Sequence, residues 1–180
     1  MVEDADLIGR SLNGDGEAFE ALFHRHYPEI HRFLRARVGF DAADDLAAET
    51  FTTAFRRRSD YDLGVPEAGP WLYGIAVNLL HAHRRTEQRW LRGRAHLAGA
   101  ELATNEPGVG SATAEALLAL TLDERNLILL YAWADLSYEQ LSVVLEVPVG
   151  TIRSRLNRTR VKLRRHFAAG DPAFLAEVGR

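Results

Sequence analysis

The chain has 180 residues, 47% of them hydrophobic, and a formal net charge of −3. That is enough for one ordinary domain or two small ones, and it excludes a polycation that grips DNA by bulk attraction. There is no cysteine, so disulfides and thiolate metal sites are excluded too.

The start, MVEDADLIGR, is acidic and lacks the apolar core of a signal peptide. No apolar run approaches the roughly 20 residues that cross a bilayer. A cytoplasmic protein without membrane insertion is expected. The charge is unevenly spread: residues 1–60 hold twelve acidic side chains against eight arginines, whereas residues 137–167 hold two against seven cations. Such asymmetry points to two partners of different character.

Strand-like alternation is not sustained anywhere, and the apolar periodicity is helical almost throughout. Glu17 to Val38 places Phe19, Leu22, Phe23, Tyr27, Ile30, Phe33, Leu34 and Val38 at three- and four-residue steps. Pro28 predicts a kink or restart there, and Gly39 an end. Asp41 opens a second helix to about Arg58, with acids in its first turn where the helix dipole favours them. SDYDLGVPEAG, punctuated by Gly and Pro, is a loop. Pro70 then suits the first turn of a helix that continues as WLYGIAVNLLHAHRRTEQRWLR. Trp71, Leu72, Ile75, Leu79 and Ala82 can form its core stripe.

Residues 99–113, GAELATNEPGVGSAT, are small, polar and rich in Gly and Pro, and read as a flexible linker. They divide the chain into 1–98 and 112–168, with a short tail at 169–180. The second part is again helical, with helices near 112–120 and 123–134 followed by two more. The expected fold is all-α: two small helical domains, the second containing a helix-turn-helix.

That motif is LSYEQLSVVLEVPVGTIRSRL. Ser137 and Gln140 form a capping-box pair, with Leu136 and Leu141 at the hydrophobic-staple positions. Leu141, Val144 and Leu145 point inward, Glu146-Val147-Pro148 makes a short break, and a second helix starts between Val149 and Thr151. On a wheel of about 100° per residue, Ile152, Leu156, Thr159 and Leu163 form one stripe, with Val149 and Phe167 close by. The opposite face holds Ser154, Asn157, Arg158, Val161 and Arg165. Arg155 and Lys162 flank it on one side; Arg153, Arg160 and Arg164 flank it on the other. In a helix lying in the major groove, Ser154, Asn157 and Arg158 meet base edges: Arg pairs bidentately with guanine and Asn with adenine. The flanking cations, Arg153 and Arg155 among them, hold phosphates without specifying sequence, and Thr151 at the helix start suits a phosphate.

Two other stretches carry candidate chemistry. DAADDLAAETFTTAFRRR sets Asp41, Asp45 and Glu49 on one ridge at four-residue steps, where like charges repel by roughly 0.2–0.5 kcal/mol per pair. Phe51 and Phe55 occupy another face at core spacing. The ridge is either a solvated first turn or a docking surface for a basic protein. In the middle helix Asn78 projects away from the core stripe, before the basic Arg84-Arg85. Trp71 is core or a stacking platform for single-stranded bases. His81 and His83 do not share a helix face and, like His24 and His26, lack a ligand set, so no metal or other cofactor is expected.

Taken in order, these pieces resemble a bacterial sigma factor of the extracytoplasmic-function class, from about residue 5 to residue 167. AFEALFHRHYPEIHRFL resembles that family's first helix and DAADDLAAETFTTAF its polymerase-docking segment. WLYGIAVNLLHAHRR is similar to the helix that recognises the −10 promoter element, and LSYEQLSVVLEVPVGTIRSRLNRTRVKLRR to the −35-reading helix-turn-helix. The resemblance implies that Asp41, Asp44, Asp45 and Glu49 dock on core RNA polymerase. It implies that the loop at about 59–69 receives a flipped −10 base, with Asn78 on a neighbouring base. His81 belongs to the same −10 site, and Arg84 and Arg85 hold the strand backbone. It further implies a linker threading the RNA-exit path and an anti-sigma factor as partner. The chain departs from the pattern at Ala82, where Asp is usual, and at Glu146, where the turn usually has Gly.

A promoter-specificity subunit without catalysis is therefore expected. No nucleophile–base pair and no phosphate-cradling Gly loop suggests an enzyme. A stand-alone helix-turn-helix regulator would leave the acidic helix and WLYGIAVN without a role.

Overall fold

A computed structural model describes residues 2–38, 40–98 and 116–167, the side chains of residues 40 and 90–98 excepted. The expected linker and tail lie outside these. The chain forms two compact units, Met1–Pro107 and Gly108–Arg180. Among the described residues every regular element is helical, as the periodicity predicts, and no helix is long and apolar enough to cross a membrane.

The first unit opens with a helix the periodicity did not flag, α1 (Asp4–Leu12). Asp4, Leu7, Ile8 and Ser11 are its buried positions, together with Ala5. They follow the i, i+3, i+4, i+7 pattern of a helix face, but the pattern begins on a carboxylate and ends on a hydroxyl. Asp15 joins α1 to the next helix: its carboxylate takes Nε and Nη2 of Arg10 at 2.9 and 2.7 Å and the Ala18 N–H at 3.2 Å.

The second helix, α2 (Gly16–Val38), runs through Pro28 without a break. Pro inside a helix costs about 3 kcal/mol. Here Pro28 is exposed, while Phe19 and Leu22 before it and Ile30, Phe33 and Leu34 after it are all buried. Tertiary packing on both sides of the proline outweighs its local cost, so the helix does not restart there.

Helix α3 (Phe40–Arg56) ends before the expected Arg58 and passes into a 3-10 turn at Arg58–Asp60. It packs on α2 through an aromatic ladder. Phe19 meets Phe55 at 5.0 Å between centroids, and Phe23 meets Phe51 at 4.8 Å. Tyr27 stacks on His31 at 5.5 Å. Phe51 is buried as expected, but Phe55 is 41% exposed at the end of the ladder, where the Arg58 guanidinium covers its ring at 3.9 Å.

The long α4 (Gly69–Ala98) extends beyond the expected Arg92. Among its described side chains, Leu72, Tyr73, Ile75, Ala76, Val77 and Leu80 are buried. Both α2 and α3 pack against it, so the buried arc is wider than one stripe and turned away from the expected line. Trp71 and Leu79 are only half-buried, and Ala82 is exposed.

The second unit resumes with helical residues 116–118, so the helix expected over 112–120 falls partly outside the described range. Then come α5 (Leu122–Trp133), α6 (Tyr138–Leu145) and α7 (Val149–Phe167). Thr121 and Glu124 close a capping box on α5, a second box beside the one predicted at Ser137 and Gln140, which also forms. Arg125, buried, spends its guanidinium on the carbonyls of Leu117, Leu118 and Leu120. It thereby ties down the turn just before α5, where Leu117 O also accepts the Leu120 N–H at 3.2 Å.

Candidate nucleic-acid and polymerase interfaces

The turn between α6 and α7 sets the geometry of the basic helix. Val147 N–H donates to Ser142 O at 3.1 Å and Glu146 N–H to Val143 O at 3.4 Å, the two bonds of a Schellman motif. Glu146 occupies the left-handed position, φ 54°, which a side chain makes costly. Glu146, standing where Gly is usual, carries that strain itself. Ser142 braces it, its hydroxyl donating to Val147 O at 2.6 Å.

Helix α7 buries Ile152, Leu156, Thr159, Leu163 and Phe167, the stripe read from the wheel; Val149 is half-buried. The other face is presented outward: Arg153, Ser154, Asn157, Arg158, Val161, Arg164 and Arg165 are exposed. The Ser154 hydroxyl donates to Thr151 O at 3.0 Å, and Arg158 Nε donates to Ser154 O at 3.4 Å. Asn157 is left with its amide outward. Thr151 and Arg155 are half-buried at the edges of this face.

The flanking cations are not equivalent, and sequence reasoning missed why. Arg160 lies over the Tyr131 ring at 4.7 Å and Arg153 over Tyr138 at 5.9 Å. Lys162 Nζ pairs with Glu124 Oε1 at 2.5 Å. Burial alone would raise the Glu124 carboxyl; Lys162 and the Thr121 N–H and hydroxyl outweigh it and hold it below its ordinary range. Part of the positive flank is thus tethered to α5 and α6. The signal was present in the sequence as Thr121 and Glu124 at capping-box spacing, but nothing in the spacing ties Glu124 to Lys162.

In the first unit Asp41, Asp45 and Glu49 are exposed along one side of α3 and, among the described residues, meet no cation. Asp44 is different. Its Oδ1 lies 2.7 Å from His31 Nε2, so it belongs partly to the α2–α3 contact. On α4, Asn78 and Arg85 share an exposed face, two turns apart. Arg84 sits about 100° around the helix from Arg85 and donates through Nη2 to Arg37 O at 2.9 Å. His81 is half-buried beside them. The loop ahead of α4 starts at Tyr61, whose ring packs on Trp71 at 5.1 Å. Burial pushes the Tyr61 hydroxyl up to about 12, with the Asp4, Asp62 and Glu67 carboxylates adding to it. Trp71 is therefore a half-buried wall at the base of that loop.

Two family models match this chain, one described as Sigma-70 region 2 over residues 22–90 and one as Sigma-70, region 4 over residues 111–163. The RNA polymerase sigma factor CarQ of Myxococcus xanthus is 31% identical over 161 residues, 86% of this chain and 92% of that protein. The ECF RNA polymerase sigma factor SigC of Mycobacterium tuberculosis is 33% identical over 162 residues, 83% of each chain. The fold is shared with CnrH, solved in complex with the cytosolic domain of CnrY, at a TM-score of 0.70 and 23% identity over 93% of this chain and 99% of that one. With all of α3 and most of α2 and α4 inside the first match and α5–α7 almost wholly inside the second, the chain belongs to the ECF class of RNA polymerase sigma factors.

Proposed function

We propose that this chain binds core RNA polymerase and directs promoter-specific initiation by reading −35 and −10 elements. The observation that carries the reading is the pairing, in one chain and in family order, of a region 2 match with a region 4 match that spans the capped helix-turn-helix. On this reading Ser154, Asn157 and Arg158 read −35 base edges, and Thr151, Arg153 and Arg155 hold the adjoining phosphates. Asn78, His81 and Arg85 meet the −10 strand, to which Arg84 adds its charge. The loop at about 59–69, of which 61–68 lie between the 3-10 turn and α4, receives the unstacked base. Asp41, Asp45 and Glu49 dock on polymerase, with Asp44 alongside. The chain acts in the cytoplasm and carries no catalysis of its own.

An anti-sigma factor is a further partner under the same reading. It is supported by CnrH and by the sigma factor RpoE of Bartonella quintana, the latter solved in complex with the anti-sigma factor NepR, TM-score 0.70 and 23% identity over 85% of this chain and 98% of that one.

The test is co-purification with core polymerase followed by run-off transcription from a library of promoter fragments. Core should be retained, and discrete transcripts should appear only when the chain is added. A chain that binds duplex DNA but not core would be a stand-alone regulator, and the proposal would fall.

A further inference from the structure

Helix α1 has no role in the assignments above, yet its first residues are tied to the loop that receives the −10 base. Asp4 is buried, only 5% exposed. One carboxylate oxygen takes the Arg25 guanidinium from α2. The other lies 2.7 Å from His26 Nε2 and accepts the Ala68 N–H at 2.9 Å, one residue before α4. The α1 backbone adds two bonds in the same direction: the N–H groups of Asp4 and Ala5 both donate to Pro66 O, at 3.1 and 3.3 Å.

Between these anchors the loop closes on itself. The Tyr61 hydroxyl donates to Val65 O at 2.7 Å. Asp62 accepts the Gly64 N–H on its side chain and the Val65 N–H on its carbonyl, both at 2.9 Å. Residues 62–67 are exposed, with Leu63 and Val65 among them.

A buried carboxylate is costly unless it is fully paired, and an apolar side chain at such a site is often at least as stabilising. Stability alone therefore does not call for Asp here. What the carboxylate adds is direction, since with the α1 backbone it fixes the carbonyl of residue 66 and the N–H of residue 68. A loop that must hold an unstacked base does so better when its shape exists beforehand, because no ordering cost then falls on binding.

We propose that Asp4 is a positioning residue for single-strand recognition: through Ala68 and Pro66 it holds the 61–68 loop in the shape that accepts the unstacked −10 base ahead of Asn78. This rests on the −10 reading of that loop. Asp4 itself touches no DNA. Its effect is confined to the one base the loop receives and leaves bases met by α4 alone unchanged.

The test uses holoenzyme reconstituted from the full chain and core polymerase, offered a single-stranded DNA pool randomised over about ten positions, with the bound strands sequenced. Four variants accompany the wild type: Asp4→Ala, Asp4→Asn, the buried α1 control Ile8→Val, and the loop-tip pair Asp62→Ala with Leu63→Ala. Asp4→Ala should lose base enrichment at least tenfold at one position, the same position the loop-tip pair loses, with core affinity and the other positions retained. Asp4→Asn keeps an oxygen for the Ala68 N–H and should retain part of the enrichment; it also keeps the test open where Asp4→Ala fails to fold. Ile8→Val should match wild type.

If the loop-tip pair loses a position while both Asp4 variants keep it, the loop reads DNA without this anchor and the inference alone is overturned. If the loop-tip pair matches wild type, the −10 reading of the loop falls and the inference with it. Loss at every position together with core affinity would make Asp4 merely structural, which also overturns it.

Discussion

Single residues in this chain hold strain and charge that the fold puts to use. Burial would raise the Asp4 carboxyl, but His26, the Ala68 N–H and Arg25 outweigh it and hold it at about 2, against an ordinary 3.8. A depressed carboxyl stabilises the fold above its unfolded value, and that contribution is lost as pH falls through the folded value. Wild-type stability should therefore fall more steeply than that of Asp4→Asn between about pH 4 and pH 2. At neutral pH Asp4→Asn should be the less stable by roughly 1.5–3 kcal/mol, the usual scale for hydrogen bonds to a charged group. Urea midpoints across pH check both; parallel pH profiles would contradict the assignment. Glu146 is the opposite case, a side chain where the backbone wants none. Glu146→Gly keeps the Schellman bonds and relieves the left-handed strain, so it should stabilise α6 and α7 by about 1 kcal/mol, read as roughly fivefold slower amide exchange there.

At the scale of elements, the faces that alternate apolar and polar side chains were legible, and those that depend on partners far along the chain were not. The α7 stripe and the Ser137 cap follow from local spacing alone, and the structure places both as expected. The α4 stripe was misread because two helices cover it, and a wheel cannot count neighbours. Helix α1 escaped notice because its face begins with Asp4, whose partners lie 21, 22 and 64 residues away. Pro28 argued for a kink or a restart, and with packing on both sides of it the helix does not restart. The candidate site divides in the same way. Ser154, Asn157 and Arg158 come out on the exposed face, as their spacing requires, but the tethering of Lys162 by Glu124 and the turning of Arg84 toward Arg37 needed the fold. The division of labour on α7 is open to measurement. Asn157→Ala or Arg158→Ala should relax discrimination at single −35 positions by roughly 1–3 kcal/mol. Arg164→Ala, on the flank of that face, should weaken binding to all sequences alike and lower the salt slope by about one. Binding isotherms on single-substitution promoter sets at several salt concentrations separate the two; uniform weakening by Asn157→Ala would remove it from the reading face.

For the whole molecule, the charge distribution is the central problem: a protein of net charge −3 has to find promoter DNA. The resolution proposed here is that polymerase, engaged by the first unit, delivers the basic helix of the second. The acidic ridge of α3 bears on this because it is locally unfavourable. Asp41, Asp45 and Glu49 repel at four-residue steps, and the dipole at the helix start compensates mainly the first. A merely solvated face gains nothing from keeping three carboxylates there. Asp45→Arg turns both repulsive pairs into attractive ones and touches no buried group. Stability should stay level or rise by about 0.5 kcal/mol, while affinity for core polymerase falls at least tenfold. The opposite signs are what distinguish a docking ridge from a surface patch. Thermal unfolding and fluorescence anisotropy with labelled chain and core read the two quantities side by side. Core affinity that survives Asp45→Arg would return the ridge to solvent and leave the delivery of α7 to other surfaces of the first unit.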